Sequence, residues 1–382
     1  MTSMEKPRVL IVDDVKSNVD VLVEALRDDY KLSVALNGES ALRSVEKTPP
    51  DLVLLDIMMP GIDGYEVCQR LRASKDTRDI PVMFLSSLED VKDKARGFEL
   101  GANDYLTKPF EMLEVKARVR SLVKAKAYAD AVREALERDL SIAREIQMGI
   151  LPSDLSACTT GTGLDISAML EPAQQVGGDL FEVLRASEDR VLVALGDVSG
   201  KGIPASLFMA VTMTLLRSMG RQFEQPEEIL RRLNDELSVQ NPRSMFVTLA
   251  CLVFDLRHKK VTHASAGHSP PVLLRAGSPP RYVFDQSGMV AGLMPGGEIP
   301  SETMDLEPGD TFVLFSDGVT EAYDPKQELF GEDRLLEQLA QNPGQNATET
   351  VASVLDAVRA HAAGSPQSDD TTIVAVRYTG NT

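Results

Sequence analysis

The sequence lacks tryptophan and is poor in cysteine and histidine, with 3 cysteines and 4 histidines among 382 residues. The cysteines, Cys68, Cys158 and Cys251, lie too far apart for a metal site, and their odd number does not allow complete disulfide pairing. We therefore expect buried free thiols in a reducing compartment, and neither a disulfide framework nor a cysteine-bound metal.

Long apolar runs and an excess of basic residues are also missing. No apolar run approaches the roughly 20 residues that span a bilayer, and the amino terminus MTSMEKPRVL has no segment suited to export. The 40 lysines and arginines are outnumbered by 58 acidic residues, which gives a formal charge of -18. This charge repels nucleic acid and anionic lipid, so we expect a protein that binds neither nucleic acid nor membrane. Because the sequence shows no segment for export or membrane spanning, we also expect it to be cytoplasmic.

The first 120 residues alternate short apolar runs with segments of helical periodicity. The runs are RVLIV, KLSVAL, DLVLL, IPVMFL and DYLT. Such alternation predicts an α/β domain in which a doubly wound, parallel five-stranded sheet carries helices on both faces. Ligands of such sheets bind at the carboxyl ends of the strands, so the residues at those ends are candidates for a site.

Charged and polar residues follow four of these runs. Asp13 and Asp14 follow the first run, Asp56 the third, Ser86 the fourth and Lys108 the fifth. Three carboxylates in one crevice repel each other unless a cation lies among them, and oxygen ligands suit Mg²⁺. Each aspartate alone could be a helix cap or a turn residue, but their shared position at strand ends favours a magnesium site.

The motifs VDD, LLDIMMPGIDG, FLSS and YLTKPF contain these residues and follow one another in this order. Together they resemble the response-regulator receiver domain. The resemblance implies that Asp56 accepts a phosphoryl group from a sensor histidine kinase or a phosphotransfer protein. It also implies that Asp13, Asp14, Asp56 and the carbonyl group of Met58 bind Mg²⁺.

The same resemblance assigns a switch to the other strand ends. It implies that Ser86 and Lys108 bind the new phosphoryl oxygens and that Tyr105 turns inward on activation. It also implies a cis peptide bond before Pro109, where the trans preference is weak. Phosphorylation adds charge and acceptor oxygens beside Lys108, which suits a two-state loop.

Residues 121–150 predict one long helix, because they contain no proline and no glycine before Gly149. Small or apolar residues recur at alternating spacings of three and four with one stutter: Leu122, Ala125, Ala129, Val132, Leu136, Leu140, Ala143, Gln147 and Ile150. Two interpretations stay open. The helix packs on its own domains, or it forms a parallel two-stranded coiled coil in a homodimer.

Residues 151–382 consist of β-type runs with two helical segments between them, which predicts an α+β domain, a β-sandwich flanked by helices. Acidic residues stand at the ends of four runs: Asp179, Asp197, Asp317, and Asp369 or Asp370. Each alone is a common turn residue. Carboxylates from distant segments without a histidine or cysteine cluster select hard cations such as Mg²⁺ or Mn²⁺.

The motifs AREIQMGILP, GGD, GDVSGKGIPASLFMA, AGHSPP, FSDGVTEA and DDTT follow one another from about residue 140 to 378. They resemble the type 2C (PPM) metal-dependent serine/threonine protein phosphatases, in the bacterial SpoIIE and RsbU branch. The resemblance implies that Asp179, Asp197 and the carbonyl of Val198 bind two Mg²⁺ or Mn²⁺ ions, and that Asp317 and Asp369 complete one of the two sites. Two such cations activate a water for in-line attack on phosphorus.

Some residues depart from this pattern or have no assigned role. Glu182 stands where the family often has aspartate, and Val198 where some relatives have glycine. His268 in AGHSPP is interpreted as structural and His263 as a strand residue. Three cations are candidates for binding the substrate phosphate: Arg144, Lys201 and Arg243.

The whole sequence predicts a receiver domain at 1–120, a helical linker at 121–150 and a phosphatase domain at 151–382. The leading hypothesis is a response regulator whose phosphorylation at Asp56 controls the phosphatase. Family analogy alone suggests a small phosphoprotein substrate, such as an anti-sigma-factor antagonist. The alternative is a non-catalytic adaptor that uses a phosphatase-like domain to bind a regulatory protein, but such an adaptor should have lost metal-binding acids, and this sequence keeps all of them.

Overall fold

The computed structural model describes residues 6–87, 96–239, 241–341 and 344–380. The chain forms two compact units, Met1–Arg138 and Asp139–Thr382, which are described separately. The predicted domain limits of 1–120, 121–150 and 151–382 stay a prediction. The three cysteines are free and buried.

The first unit contains a parallel five-stranded sheet in the order β2-β1-β3-β4-β5. Its strands are β1 Arg8–Val12, β2 Lys31–Ala35, β3 Leu52–Asp56, β4 Val82–Ser86 and β5 Asp104–Thr107, and helices α1 Lys16–Leu26, α2 Gly38–Lys47 and α3 Gly64–Ala73 follow the first three. Alternate residues of β3 enter two different cores, Val53 and Leu55 on one face and Leu52 and Leu54 on the other. Both faces are therefore covered, and the predicted doubly wound sheet is confirmed.

A single helix, α4, runs from Met112 to Ile150. It begins earlier than predicted, because Val115, Val119 and Val123 pack in the hydrophobic core of the first unit. Residues 131–139 are exposed along their whole length, whereas Gln147 is buried. A helix with this exposed central section is compatible with both interpretations of the apolar seam, so the coiled coil stays a prediction.

The second unit contains two antiparallel five-stranded sheets, in the orders β13-β10-β9-β8-β7 and β12-β11-β14-β15-β6. The strands are β6 Leu164–Glu171, β7 Leu180–Arg185, β8 Arg190–Val198, β9 Val247–Asp255, β10 Lys260–Ala266, β11 Val272–Leu274, β12 Arg281–Tyr282, β13 Ser301–Asp305, β14 Thr311–Phe315 and β15 Thr371–Tyr378. Between the sheets, Phe254 of β9 meets Phe312 of β14 edge to face, with ring centroids 5.8 Å apart. The predicted β-sandwich is confirmed.

Helices cover both outer faces of this sandwich. They are α5 Ser156–Thr159, α6 Ile203–Gln222, α7 Pro226–Ser238, α8 Asp317–Thr320, α9 Gly331–Gln341 and α10 Ala347–Ala362. Helices α6 and α7 share the larger core with the sheet of β7 to β10, and α9 and α10 pack on the sheet of β14 and β15. The helices thus stabilise each sheet from outside.

Helix α6 corrects one expectation from the sequence. Among the described helices it is the one that is long and apolar enough to cross a membrane, with 20 residues and a mean hydropathy of 1.3. Its apolar character has a structural reason, since Ala205, Met209, Met213 and Leu216 are buried in the core of the second unit. A core helix meets the same criteria of length and composition as a membrane span.

Replacing Asp310 with alanine tests how much buried polar contacts stabilise the second unit. Asp310 is 1% exposed and accepts hydrogen bonds from Arg275 Nε at 2.7 Å and Nη2 at 2.6 Å. Its loss leaves Arg275 poorly paired, so Asp310→Ala should lower the free energy of unfolding by about 3 kcal/mol in urea denaturation followed by circular dichroism.

The matched control is Asp305→Ala. The Asp305 side chain is 84% exposed and lies 4.0 Å from Lys260. Exposed pairs of this kind contribute less than about 1 kcal/mol. Equal losses of stability in the two variants would contradict the stabilising role of the Asp310 contacts.

Candidate functional site

Three carboxylates meet at the carboxyl edge of the first sheet. Each of Asp13, Asp14 and Asp56 offers a ligand oxygen, and these oxygens all lie within 4.8 Å of one another. Asp13 and Asp56 are buried, and Asp14 is exposed. The sheet therefore brings together the three acids that the sequence predicts as magnesium ligands, and an all-oxygen donor set of this kind fits Mg²⁺.

Lys108 lies between two of these acids. Its Nζ atom is 2.8 Å from an Oδ2 atom of Asp13 and 2.8 Å from that of Asp56. Burial raises the pKa of Asp56, and the nearby Lys108 ammonium opposes part of that rise. Burial disfavours the charge of Lys108, but hydrogen bonds to Asp13 and Asp56 keep its pKa above the usual value.

The remaining residues of the predicted switch lie on the neighbouring strands. Ser86 is buried at the end of β4, and its carbonyl accepts a 2.9 Å hydrogen bond from the backbone N–H of Lys108. Tyr105 of β5 is buried against Phe84 and Phe98. The backbone N–H of Met58 donates to Asp56 Oδ1 at 3.4 Å.

The roles of these residues in phosphorylation, and that of the Met58 carbonyl in metal binding, stay predictions. The predicted cis peptide bond between Lys108 and Pro109 is present.

The acids of the second unit stand where strands of both sheets begin or end. Asp179 directly precedes β7, and Asp197 is the residue before last in β8. Asp317 follows β14 at the start of α8, and Asp369 lies just before β15. Strands β7 and β8 are antiparallel neighbours, and so are β14 and β15. The end of one strand therefore lies beside the start of the next, and each sheet contributes two acids at one end of such a pair.

The GGD turn packs against the end of β8. A Cβ atom added to Gly178 would lie 2.7 Å from the carbonyl oxygen of Val198 and 3.3 Å from Asp197 Oδ1. Only glycine therefore permits this approach.

Electrostatic repulsion is strong in this group of acids. Burial, followed by the charge of Asp197, raises the pKa of Asp179 well above its usual value. Burial, followed by the charges of Asp317 and Asp369, raises the pKa of Asp197 to about 7. Burial, followed by the charges of Glu321 and Asp369, also raises the pKa of Asp317. These four acids therefore lie close enough to perturb one another.

The ligand oxygens of the acids in the second unit lie farther apart than those of the three acids in the first unit. Within the described residues, the group of three acids whose ligand oxygens all lie within 4.8 Å is Asp13, Asp14 and Asp56. Among the described residues, no three acids of the second unit meet this distance criterion. Carboxylates with a backbone carbonyl fit hard divalent cations, and cations among them would relieve the repulsion.

The structure distinguishes Asp369 from Asp370, which position at the end of an apolar run left open and for which the family resemblance implied Asp369. Asp370 is buried and accepts hydrogen bonds from the backbone N–H groups of Ala173 and Gly178, both at 2.8 Å. Asp369 is partly exposed, and its Oδ2 lies 2.8 Å from Nζ of Lys201. Asp370 thus supports the GGD turn, whereas the charge of Asp369 contributes to the raised pKa of both Asp197 and Asp317.

Lys201 stands out among the three cations considered for phosphate binding. Besides Asp369, it contacts the carbonyl of Ser368 at 2.6 Å. Arg144 is partly buried and bonds the carbonyl of Gln174, and Arg243 lies on an exposed turn. Lys201 is therefore the cation of these three that lies beside the acids.

His268 connects the two sheets near Asp197, because its partner Thr248 on β9 is paired with Asp197 on β8. Its Nδ1 atom lies 2.8 Å from Thr248 Oγ1 on β9, and its Nε2 atom lies 3.1 Å from the carbonyl oxygen of Phe315. The carbonyl requires a proton on Nε2, so Nδ1 accepts from the threonine. Burial lowers the pKa of His268 to about 4. With both nitrogens bonded, His268 supports the site and does not exchange protons with a substrate.

His263, by contrast, lies away from these contacts. It is buried on β10 and stacks on Phe284, with ring centroids 5.0 Å apart. Burial lowers its pKa to about 4. This agrees with its interpretation as a strand residue.

Sequence reasoning did not identify the contacts of Glu182 and Gln147. Glu182, which stands where the family often has aspartate, is buried and forms an ion pair with Nε of Arg217 at 2.5 Å. Gln147 bonds the backbone of Gly177 in the GGD turn. Its position within the motif AREIQMGILP was the available signal.

Comparisons with known proteins agree with both halves of this description. The family described as Stage II sporulation protein E (SpoIIE) matches residues 187–379, and the response regulator receiver domain matches residues 9–120. The response regulator PleD of Caulobacter vibrioides is 42% identical over 128 residues, which are 33% of this chain and 28% of PleD. The chain thus covers less than a third of the length of that relative.

Two solved structures share the fold of the second unit. The SiaA-PP2C domain of Pseudomonas aeruginosa has a TM-score of 0.59 and 22% identity, covering 65% of this chain and 99% of that domain. The PP2C phosphatase domain of SpoIIE from Bacillus subtilis, solved with a fragment of its regulatory domain, has a TM-score of 0.52 and 20% identity, covering 57% and 64%. At these identities the two structures show a common fold alone.

Replacing Gly178 with alanine tests whether the GGD turn and the end of β8 form one metal site. The added methyl group would lie 2.7 Å from the Val198 carbonyl oxygen, so the turn must shift. We expect Mn²⁺ to bind at least about tenfold more weakly in isothermal titration calorimetry. The background should carry Asp13→Asn and Asp56→Asn, which remove the acids of the first unit.

Gly149→Ala in helix α4 is the matched control, because a Cβ added there meets nothing within 4 Å. It should leave Mn²⁺ binding unchanged. Full Mn²⁺ affinity in the folded Gly178→Ala protein would contradict this placement of the ligands.

Proposed function

The chain belongs to the stage II sporulation protein E family and carries a receiver domain ahead of the family match; we propose that it is a two-component response regulator with a protein phosphatase as its output. Phosphorylation of Asp56 would control a Mg²⁺- or Mn²⁺-dependent phosphatase that acts on phosphoserine and phosphothreonine. The observation that carries this proposal is the position of Asp179, Asp197, Asp317 and Asp369 at the ends of neighbouring strands in the two sheets, with the GGD turn packed against Asp197 and Val198.

The carboxyl-terminal acids are the proposed ligands of a metal pair. Asp179, Asp197 and the carbonyl of Val198 would hold both cations, and Asp317 and Asp369 would complete one site. When bound, two divalent cations supply a hydroxide nucleophile at neutral pH and neutralise the phosphoryl oxygens. No protein nucleophile is then needed.

Neighbouring side chains fix these acids before a substrate arrives. The hydroxyl of Thr372 donates a hydrogen bond to Asp179 Oδ2, and Asp370 holds the N–H of Gly178. Such outer contacts orient metal ligands and limit their reorganisation. Lys201, beside Asp369, is the proposed group that binds the substrate phosphate as a point charge.

A cavity whose lining includes sequence neighbours of Asp317 and Asp369, though none of the four acids, could receive part of a polypeptide substrate. This cavity of about 350 Å³ is bordered by Gly318 and Ser368, which adjoin Asp317 and Asp369, and extends to Leu355, Val358 and Arg359. It could take residues on one side of a phosphoserine or phosphothreonine. We propose a small regulatory phosphoprotein, such as an anti-sigma-factor antagonist, as the substrate.

The receiver half would act as the input. A sensor histidine kinase or a phosphotransfer protein is the proposed donor, and Mg²⁺ held by Asp13, Asp14, Asp56 and the Met58 carbonyl would support transfer to Asp56. Ser86 and Lys108 would bind the phosphoryl oxygens, and Tyr105 would turn inward on activation. A charge added at Asp56 would redirect Lys108, which now bonds both Asp13 and Asp56.

Helix α4 is the proposed dimer contact. Val132 and Leu136 of the predicted seam are each at least half exposed, which suits a coiled coil with a second copy of this chain over that section, whereas Gln147 near the end of the seam is buried in the second unit. We propose that these reactions take place in the cytoplasm. The non-catalytic adaptor is the weaker alternative, because an adaptor does not need four interacting acids.

The Asp317→Asn protein tests the catalytic proposal. Loss of a metal-binding charge should lower hydrolysis of a phosphoserine peptide with Mn²⁺ by more than about 100-fold, since even outer contacts contribute up to that much. The measurement is phosphate release by the full chain. Asp305→Asn, the same change at an exposed aspartate, is the control and should retain full activity. Equal rates for parent and Asp317→Asn would favour the adaptor instead.

The Asp56→Asn protein tests the input. The parent treated with acyl phosphate and Mg²⁺ should gain one phosphoryl group by intact mass and should change its rate of peptide hydrolysis. Asp56→Asn should do neither. Asp63→Asn is the control, because Asp63 is exposed and bonds the backbone N–H of Glu66 at the start of α3. Labelling of Asp56→Asn would contradict the acceptor, and an unchanged rate in the labelled parent would contradict the switch.

A further inference from the structure

The last turns of helix α4 are bonded directly to the GGD turn. The Gln147 side chain is 6% exposed. Its Nε2 atom donates to the carbonyl oxygen of Gly177 at 2.7 Å, and its Oε1 atom accepts from the N–H of the same residue at 3.1 Å. One buried amide therefore satisfies both backbone polar groups of one residue, a pairing that fixes distance and orientation together.

Gly177 lies two residues before Asp179, and side chains also hold the residues between them. The carboxylate of Asp370 accepts the N–H of Gly178 at 2.8 Å and that of Asp179 at 3.3 Å. A Cβ added to Gly177 would lie 1.8 Å from Asp370 Oδ2, so the turn sits directly on that carboxylate. The backbone N–H groups of 177–179 thus depend on two side chains, one from helix α4 and one from the start of β15.

A second contact joins the end of α4 to the strand that follows Asp179. The carbonyl of Ile150, the last residue of the helix, lacks an intrahelical partner and accepts a hydrogen bond from Arg217. Arg217 also pairs with Glu182 on β7, three residues after Asp179. The end of helix α4 is therefore connected to Gly177, two residues before Asp179, and through Arg217 to Glu182, three residues after it.

We propose that Gln147 is a positioning residue for metal binding: it transmits the position of the last turns of α4 to Asp179 through the backbone of Gly177. This inference rests on the proposed metal site. A displacement of the helix end would move or release Gly177, and Asp179 would then be less well placed for a cation.

The decisive variant is Gln147→Met, which keeps the size of the side chain and removes both hydrogen bonds. All proteins are full length and carry Asp13→Asn and Asp56→Asn, so that the first unit does not contribute to metal binding. Mn²⁺ affinity is measured by isothermal titration calorimetry. We expect Gln147→Met to bind Mn²⁺ about 10- to 100-fold more weakly, the usual effect of losing an outer contact.

Kinetics separate a positioning role from a merely structural one. The Mn²⁺ concentration that gives half-maximal peptide hydrolysis should rise by the same factor in Gln147→Met, while kcat at saturating Mn²⁺ should approach that of the parent. Gln222→Met, the same change at an exposed glutamine of α6, should alter neither quantity. A shift in thermal unfolding with unchanged Mn²⁺ affinity would overturn the inference.

Gln147→Asn covers the case in which the methionine variant does not fold. It keeps both amide groups but is shorter by one methylene, so its bonds to Gly177 must lengthen and Mn²⁺ must bind more weakly. Unchanged affinity in this variant would overturn the inference. If the Asp317→Asn protein binds Mn²⁺ as tightly as the parent, the proposed metal site and this inference both fail. Unchanged affinity in the Gln147 variants alone overturns only the latter.

Discussion

Repulsion between buried carboxylates is the constraint on which the second unit depends. Asp179 is 1% exposed, and burial with neighbouring charges raises the pKa of both Asp179 and Asp197. Two like charges 4 Å apart repel each other by about 4 kcal/mol at an effective dielectric constant of 20. Such a group persists only if it binds protons or cations, and if the surrounding fold holds it against that repulsion.

The fold supplies that support through side chains that bond backbone groups in the turns. Asp370 bonds the N–H groups of the GGD turn, and His268 links Thr248 of one sheet to the Phe315 carbonyl of the other. Residues of the GGD turn have no ladder partners, so the contacts of Asp370 satisfy N–H groups that would otherwise be buried and unpaired. The same contacts set the distance between the two sheets at the acids, and thereby join stability to metal binding.

The sequence was sufficient for the fold class and for the segments that converge, because acids at the ends of apolar runs mark sheet edges. Position at the end of a run did not separate Asp369 from Asp370, since neighbouring residues of one type differ only in where the backbone points them; the choice of Asp369 came from the family resemblance. The contacts of Gln147 and Glu182 were also out of reach: they join positions 30 to 35 residues apart and depend on packing rather than periodicity. Helix α4 begins before the predicted residue 121 because its first turns pack in the core of the first unit, and helix propensity does not decide where it starts.

A crystal structure of the full chain grown with Mn²⁺, with the ions located by anomalous scattering, tests the central claim most directly. The account predicts two ions in the second unit, roughly 3.5 to 4 Å apart, with Asp179, Asp197, Asp317 and Asp369 as their protein carboxylate ligands. Ions bound elsewhere in that unit, or carboxylates that keep apart at saturating Mn²⁺, would contradict it.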